Sequence, residues 1–217
     1  DLPTVSFGSS EEMRVGDEVI AMGNPFGLGG TVTTGIVSAK DRNINAGPFD
    51  EFIQTDAAIN RGNSGGPLFN DRGEVIGVNT AIFSPDGASA GIGFAVPSDL
   101  VSRIVADLKD DGKIDRGWLG VRIKPVSDEV ASVLGLDAGE GIQVDGVIDG
   151  SPADKVGLKA GDIVLSFDGT PINEARDLTR AVGNAAPDTA SKIEILRRGD
   201  RQTLDVTLAN RATAQDA

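Results

Sequence analysis

The stretch Phe52-Ile53-Gln54-Thr55-Asp56-Ala57-Ala58-Ile59-Asn60-Arg61-Gly62-Asn63-Ser64-Gly65-Gly66-Pro67-Leu68 decides the reading of the first half of the chain. It opens on a short apolar run of strand character, and a second such run begins at Pro67. The glycine and asparagine cluster between them predicts a tight turn. At its centre a serine sits among glycines. Acyl transfer needs a hydroxyl on such a turn, with backbone N–H groups aimed at the oxygen that becomes negative. Gly62 can take backbone angles closed to other residues, so that its amide and that of Ser64 converge on one point, while Gly65 and Gly66 leave room for a substrate. One such donor is worth about 10² to 10³ in rate. Gly-Asn-Ser-Gly-Gly alone is also an ordinary hairpin loop, so these five residues leave chemistry and simple turn formation both open.

Outward from that turn, residues 18–24, 31–40, 49–55, 67–70, 74–83 and 90–96 are short apolar or alternating runs separated by Gly, Pro, Asn or Asp. Six strands at that spacing predict a small antiparallel barrel over residues 1–112. Ser98 has the character of a helix N-cap, and Leu100, Val101, Ile104, Val105 and Leu108 recur at helical spacing up to Asp110-Asp111-Gly112. A linker is expected at 113–116. The texture then repeats over 117–210, with strands near Leu119–Lys124, Ile142–Val147, Ile163–Phe167, Lys192–Arg197 and Arg201–Leu208. One helix is announced by Ser151-Pro152-Ala153 and stopped by Gly157, and another covers Glu174 to Val182. Residues 211–217, with Asn210, are expected to fray.

Composition agrees with short strands and many turns: 29 glycines, 10 prolines and 4% aromatic residues in 217. A net charge of −13 repels phosphate backbones and anionic lipid, which argues against nucleic acid as a partner. With no cysteine there is neither disulfide nor thiolate nucleophile, and no apolar run approaches a membrane span. The chain starts at Asp1 and reads as a piece of a longer precursor. It contains no histidine, so any histidine-dependent mechanism must find its base on another chain segment.

The segment from Phe52 to Leu68 resembles the active-serine region of HtrA-type (Do-like) serine proteases nearly residue for residue. Similar stretches are Ala21-Met22-Gly23-Asn24-Pro25-Phe26-Gly27, Thr33-Thr34-Gly35-Ile36-Val37-Ser38 and Gly91-Ile92-Gly93-Phe94-Ala95-Val96-Pro97. The resemblance implies a mainly β fold, the second barrel of a chymotrypsin-like protease, with Ser64 as nucleophile and the turn Gly62-Asn63-Ser64 forming the oxyanion hole. It implies a neutral, shallow primary pocket lined by Ala58, Ile59, Asn79, Thr80, Ala81 and Ile82, favouring small aliphatic residues. Ile59 and Ile82 are equally readable as core. Asp41 to Pro48 is similar to the family's sensor loop, with Arg42 as its reporter or as a plain surface arginine, and Phe83 to Ala90 borders the pocket.

In that family the general base is a histidine oriented by an aspartate, both on the first barrel, and neither has a counterpart here; Asp1 is not assigned to the role. Loss of the base costs on the order of 10⁶ in turnover, so this chain alone is expected to be inactive. The barrel's uncovered interdomain surface should also drive association.

Gly117-Trp118-Leu119-Gly120-Val121 resembles the carboxylate-binding loop of PDZ domains, which are α+β, and Gly150-Ser151-Pro152-Ala153, Gly161-Asp162-Ile163-Val164 and Asp168-Gly169 fit the bacterial PDZ pattern. A peptide C-terminus is expected to add beside Leu119–Ile123, its last side chain against Leu178 and Val182 and its carboxylate assisted by Arg116. Taken singly, Leu119, Val121, Leu178 and Val182 also read as core. Trp118 reads either as a ligand-facing ring or as an anchor to the barrel. The resemblance implies a periplasmic quality-control endopeptidase acting on unfolded proteins, homotrimeric or larger, with no metal or organic cofactor. The alternative is a non-catalytic peptide-binding or chaperone module.

Overall fold

The computed structural model describes residues 2–24, 27, 29–47, 49–84 and 89–214. The chain divides into two compact units, Asp1–Ile114 and Asp115–Ala217.

In the first unit, β1 (Glu18–Gly23), β2 (Thr31–Arg42), β3 (Phe52–Thr55), β4 (Pro67–Phe69), β5 (Val75–Ile82) and β6 (Gly93–Pro97) close into an antiparallel barrel in the order β1-β2-β3-β6-β5-β4. Closure removes the exposed edges that six short strands would otherwise carry. Alternation sends Val19, Ala21, Val37, Ile53, Leu68, Ile76 and Ala95 into one buried cluster. Each large aliphatic side chain there contributes about 1.5–3 kcal/mol. Small residues allow the narrow bore: a Cβ on Gly77 would lie 3.1 Å from that of Ala95.

Helix α1 (Ser98–Asp110) follows β6 directly. The cap expected at Ser98 is a correction: Pro97 occupies that position and makes no cap bond, and the Ser10 hydroxyl accepts from the Asp99 amide of the first turn at 3.2 Å instead. The Ser98 hydroxyl is drawn away, donating to the Gly8 carbonyl at 2.7 Å. Residues 6–8 meet the start of β5 in a single parallel bridge, with Gly8 N–H donating to Val75 and Val75 N–H to Ser6. Asp99 fastens the residues that follow to the helix start, accepting from the Ser10 hydroxyl at 2.7 Å and the Glu11 amide at 2.9 Å.

The second unit comprises β7 (Gly117–Trp118), β8 (Val121–Pro125), α2 (Asp128–Leu134), β9 (Ile142–Val147), α3 (Pro152–Lys155), β10 (Ile163–Phe167), β11 (Thr170–Pro171), α4 (Ala175–Asn184), β12 (Ala190–Arg197), β13 (Asp200–Thr207), β14 (Ala209–Asn210) and α5 (Arg211–Ala214). Its main sheet runs β13-β12-β10-β9-β8, with β11 on β10, and β14 pairs with β7. Ser151 caps α3 by accepting from the Asp154 amide, with Pro152 in the first turn. A reciprocal box between Glu174 and Asp177 opens α4. The core gathers Ile142, Val144, Val164, Phe167, Leu178, Val182, Ile193 and Ile195. A partly buried ion pair ties β12 to the turn before β10: Asp162, 2% exposed, takes Arg197 Nε and Nη2 at 2.7 Å each, and the same Nη2 donates to the Gly157 carbonyl.

Three expectations are corrected here. The strand placed from Leu119 starts at Val121, because Gly120 at φ +83° turns the chain. Residues 210–214 are not frayed: Asn210 pairs with Gly117, its side chain donates to Asp115 at 2.6 Å, and α5 follows with the Arg211 amide on the Arg116 carbonyl. Residues 215–217 lie outside the described residues. Helix α2 was unforeseen. Its signals are a Ser127 cap and a terminating Gly135 at φ +68°, bracketing only seven residues, too few for the apolar period to register.

Candidate functional site

Two loops with the same backbone device stand apart in the chain. In the first unit, β3 ends at Thr55 and the chain crosses to β4 through the serine turn. Asp56 pins the crossing by accepting from the Ile36 amide at 2.7 Å, and the Thr33 hydroxyl donates to the Ala58 carbonyl at 3.0 Å. Gly62 has φ +104° and Gly65 φ +84°, angles that L side chains rarely adopt. Asn63 is 1% exposed while Ser64 is exposed. The turn is held from behind: the Gly65 amide donates to Asn79 at 2.7 Å, Gly66 to Asn63 at 2.9 Å, and the Asn79 amide to Gly66 at 2.9 Å. A Cβ on Gly66 would sit 2.3 Å from the Met22 carbonyl oxygen, so only glycine permits this approach to β1.

Among the described residues the amides of Gly62 and Ser64 donate to no acceptor. Two free backbone donors therefore flank Asn63 beside an exposed hydroxyl, a partial positive charge available to an oxyanion. The Ser64 hydroxyl itself donates to the Thr80 carbonyl on β5 at 3.1 Å. Thr80 is exposed, Ala58, Ala81 and Ile82 are half-buried, and Ile59 is 2% exposed inside the barrel core. Ile82 packs against that core too, so both isoleucines carry packing whatever else they do. Arg42 lies at the end of β2, exposed, with Nε donating to Gln54 on β3 at 2.9 Å. Its loop is ordered by Asp50, which takes the amides of Ile44 and Ala46. Pro25, Phe26 and Pro48, and residues 85–88 of the segment bordering the pocket, lie outside the described residues.

In the second unit, the loop before β8 repeats the device. Gly120 sits at φ +83°, and the amides of Leu119 and Gly120 donate to no acceptor among the described residues, while their carbonyls take Ala153 and Ile148 amides. The loop is close-packed, since a Cβ on Gly120 would meet that of Ser151 at 2.2 Å and the Trp118 ring at 3.0 Å. Trp118 is half-buried with its ring against this glycine. Leu119, Leu178 and Val182 belong to the core, Val121 and Ile123 pack against it, and α4 packs on β7, β8 and β10. Beyond the loop, β8 ends the sheet order, and among the described residues no strand pairs with its outer edge.

Residues 1–78 match the trypsin-like peptidase domain, and residues 117–208 match the PDZ domain. A probable periplasmic serine endoprotease, DegP-like, of Brucella suis is 51% identical over 205 residues, covering 94% of this chain and 40% of that protein. The corresponding protein of Ectopseudomonas mendocina is 47% identical over 207 residues, covering 95% and 44%. The solved structure of the HtrA-type protease AlgW with a tripeptide superposes with a TM-score of 0.79 at 43% identity, covering 97% of this chain and 70% of that one. The chain belongs to the HtrA family of serine proteases. It spans about two fifths of the length of the curated HtrA relatives it matches.

For an HtrA chain, sequence reasoning missed the residues that brace the serine turn. Asp56 and Gly35 are the main ones, and Asn79, expected only as part of the pocket lining, is a third. A Cβ on Gly35 would fall 2.3 Å from the Ala57 amide, and the Asn79 side chain donates to the Pro67 carbonyl at 3.1 Å. The oxygens Oδ1 of Asn63 and Asn79 are both buried without a partner among the described residues. Glycine in a strand signals close backbone approach, and that cue was present at Gly35.

Proposed function

We propose that this chain is the serine-bearing part of a periplasmic endopeptidase that hydrolyses unfolded proteins through an acyl-enzyme, with the second domain capturing substrate C-termini. The observation that carries this reading is an exposed Ser64 hydroxyl on a turn braced from behind, where the Gly62 and Ser64 amides have no acceptor among the described residues. Ser64 acts as nucleophile, and Gly62 and Ser64 N–H hold the tetrahedral oxyanion. Thr80, Ala81 and Ala58 border a neutral pocket for small aliphatic side chains. Free Leu119 and Gly120 amides beside an unpaired β8 edge support capture of a carboxylate and strand addition, the last side chain resting near Leu178 and Val182. The Brucella relatives' names support the periplasmic location, and the tripeptide in the AlgW structure supports peptide binding. We further propose an oligomeric parent.

A binding-only role is favoured by one observation, the absence of histidine from all 217 residues. A fluorophosphonate probe separates the two. Labelling of Ser64 in the full-length parent, lost in Ser64→Ala, is expected of the enzyme; a folded parent that does not label leaves the binder. The 217-residue chain alone should not hydrolyse casein, because the proton acceptor is missing and its loss costs about 10⁶ in turnover. Clear turnover that vanishes with Ser64→Ala would overturn the missing-base argument.

A further inference from the structure

The edge strand β8 has two faces with different chemistry. Val121 and Ile123 turn toward the core, so Arg122 and Lys124 lie on the opposite, exposed face. A register shift between Arg122 and Ile123 pairs Arg122 with Gly146 and brings Asp145 beside Lys124. Lys124 is thereby neutralised, its Nζ lying 2.7 Å from Asp145 Oδ1. Arg122 makes no ion pair or hydrogen bond to a carboxylate among the described residues, although its charge reaches Asp145, which Lys124 holds directly. Its guanidinium rests on Gly146: a Cβ there would lie 2.4 Å from Nη2 and 2.9 Å from Cζ. The missing side chain at 146 is what gives the planar fork its seat on the sheet.

From this arrangement we infer that Arg122 selects an acidic side chain at the penultimate position of the C-terminal peptide taken by the second domain. The inference rests on the strand-addition reading above. A carboxylate held by the Leu119 and Gly120 amides lies at the N-terminal end of β8, so the peptide must run antiparallel to that strand. Directly opposed residues in an antiparallel pair share a face. With the last peptide residue beside Val121 and its side chain toward the core, the penultimate residue stands opposite Arg122, on the outer face. Arg122 then has two lateral neighbours, Gly146 on one side and the peptide side chain on the other. Gly146 offers no side chain to compete for the fork, Asp145 is engaged by Lys124, and in a chain of net charge −13 a cation without an ion pair of its own is where an acidic peptide meets the least repulsion. A planar guanidinium also matches a carboxylate in two-point geometry. The pair is exposed, so the expected selectivity is modest, about two- to fivefold at low salt, and smaller as salt rises.

The test is fluorescence anisotropy of the 217-residue chain with labelled hexapeptides that end in a free carboxylate and differ only at the penultimate residue: Glu, Gln or Lys. The expected order is Glu, then Gln, then Lys, narrowing at high salt. Arg122→Glu should invert it, with Lys binding best, a gain that misfolding cannot imitate. Moving the Glu one residue toward the N-terminus, onto the core-facing side, should abolish its advantage. Equal binding of the three peptides, or an order that survives Arg122→Glu, overturns the inference while leaving C-terminal capture intact. If carboxamide and carboxylate forms bind alike, or none binds, C-terminal capture itself fails and the inference falls with it.

Discussion

The serine turn and the loop before β8 both present backbone amides without acceptors, each beside a glycine at positive φ, yet they are built differently around those amides. At the serine turn the glycine and the serine face solvent, and the buried member is Asn63 between them. At the second loop Leu119 and Gly120 are themselves buried, and an unpaired strand edge continues from them. The difference fits the lifetimes of the two charges they are proposed to hold. An oxyanion formed on a substrate attached to Ser64 needs two fixed donors and nothing further, because the covalent bond keeps it in place. A peptide carboxylate that arrives by diffusion has no such tether, and the adjoining edge of β8 provides one through main-chain pairing.

The comparison is broken most severely by unseating the second unit as a whole. Asp162→Ala leaves the Arg197 guanidinium, 23% exposed, with only the Gly157 carbonyl, and stranding a partly buried charge of this kind costs about 1–3 kcal/mol. Because Trp118 is the only tryptophan and lies in the second unit, its fluorescence reports that unit's melting. The expected result is a lowered Trp118 transition and lost peptide binding, with the barrel's strands retained by hydrogen exchange. An unchanged Trp118 transition would mean the pair carries no load.

A finer cut exchanges single glycines. Gly66→Ala drives a Cβ into the Met22 carbonyl and should distort the serine turn, whereas Gly120→Ala drives one into Ser151 at a φ of +83°. Each should cost about 1–3 kcal/mol locally. In the full-length parent, Gly66→Ala should lose fluorophosphonate labelling and keep peptide binding, and Gly120→Ala the reverse. Loss of both functions in either variant would show that the two loops do not act separately.

Much of this was legible because the two loops and the barrel strands are written locally. Glycine spacing around Ser64, the apolar runs of β1 to β6 and the Ser151-Pro152 helix start each need only a few neighbouring residues to be read. What was missed depends on long-range partners. Ser98 has every local mark of a cap, and its hydroxyl goes instead to Gly8, ninety residues earlier. Asn210 looked like a loose tail until its pairing with Gly117 closed a small sheet. The bracing of the serine turn likewise draws on two separate strands, β2 through the Ile36 amide on Asp56 and β5 through Asn79, and neither partner is set by any local pattern around Ser64.

The smallest effect sharpens the comparison from inside the molecule. Asp99 is a carboxylate already held by uncharged donors, as the second loop is proposed to hold a visiting one, although here they are one backbone amide and two hydroxyls, from Glu11, Ser10 and Ser9. Partial burial pushes its pKa up, and the hydrogen bonds from Ser10, Glu11 and Ser9 outweigh this, holding the carboxyl below the usual carboxylate range. A depressed folded-state value stabilises above the unfolded-state pKa and is lost as pH falls through the folded-state value. Residues 9–11 should therefore stay fastened to α1 through mild acid and detach only below the range where ordinary carboxylates titrate. Titration of the Asp99 carboxyl carbon by NMR, followed with the Glu11 amide, checks this. An Asp99 midpoint at or above the ordinary value would show that amide and hydroxyl donors of this kind do not by themselves favour a carboxylate here. The affinity of the second loop for peptide C-termini would then have to come mainly from the β8 edge.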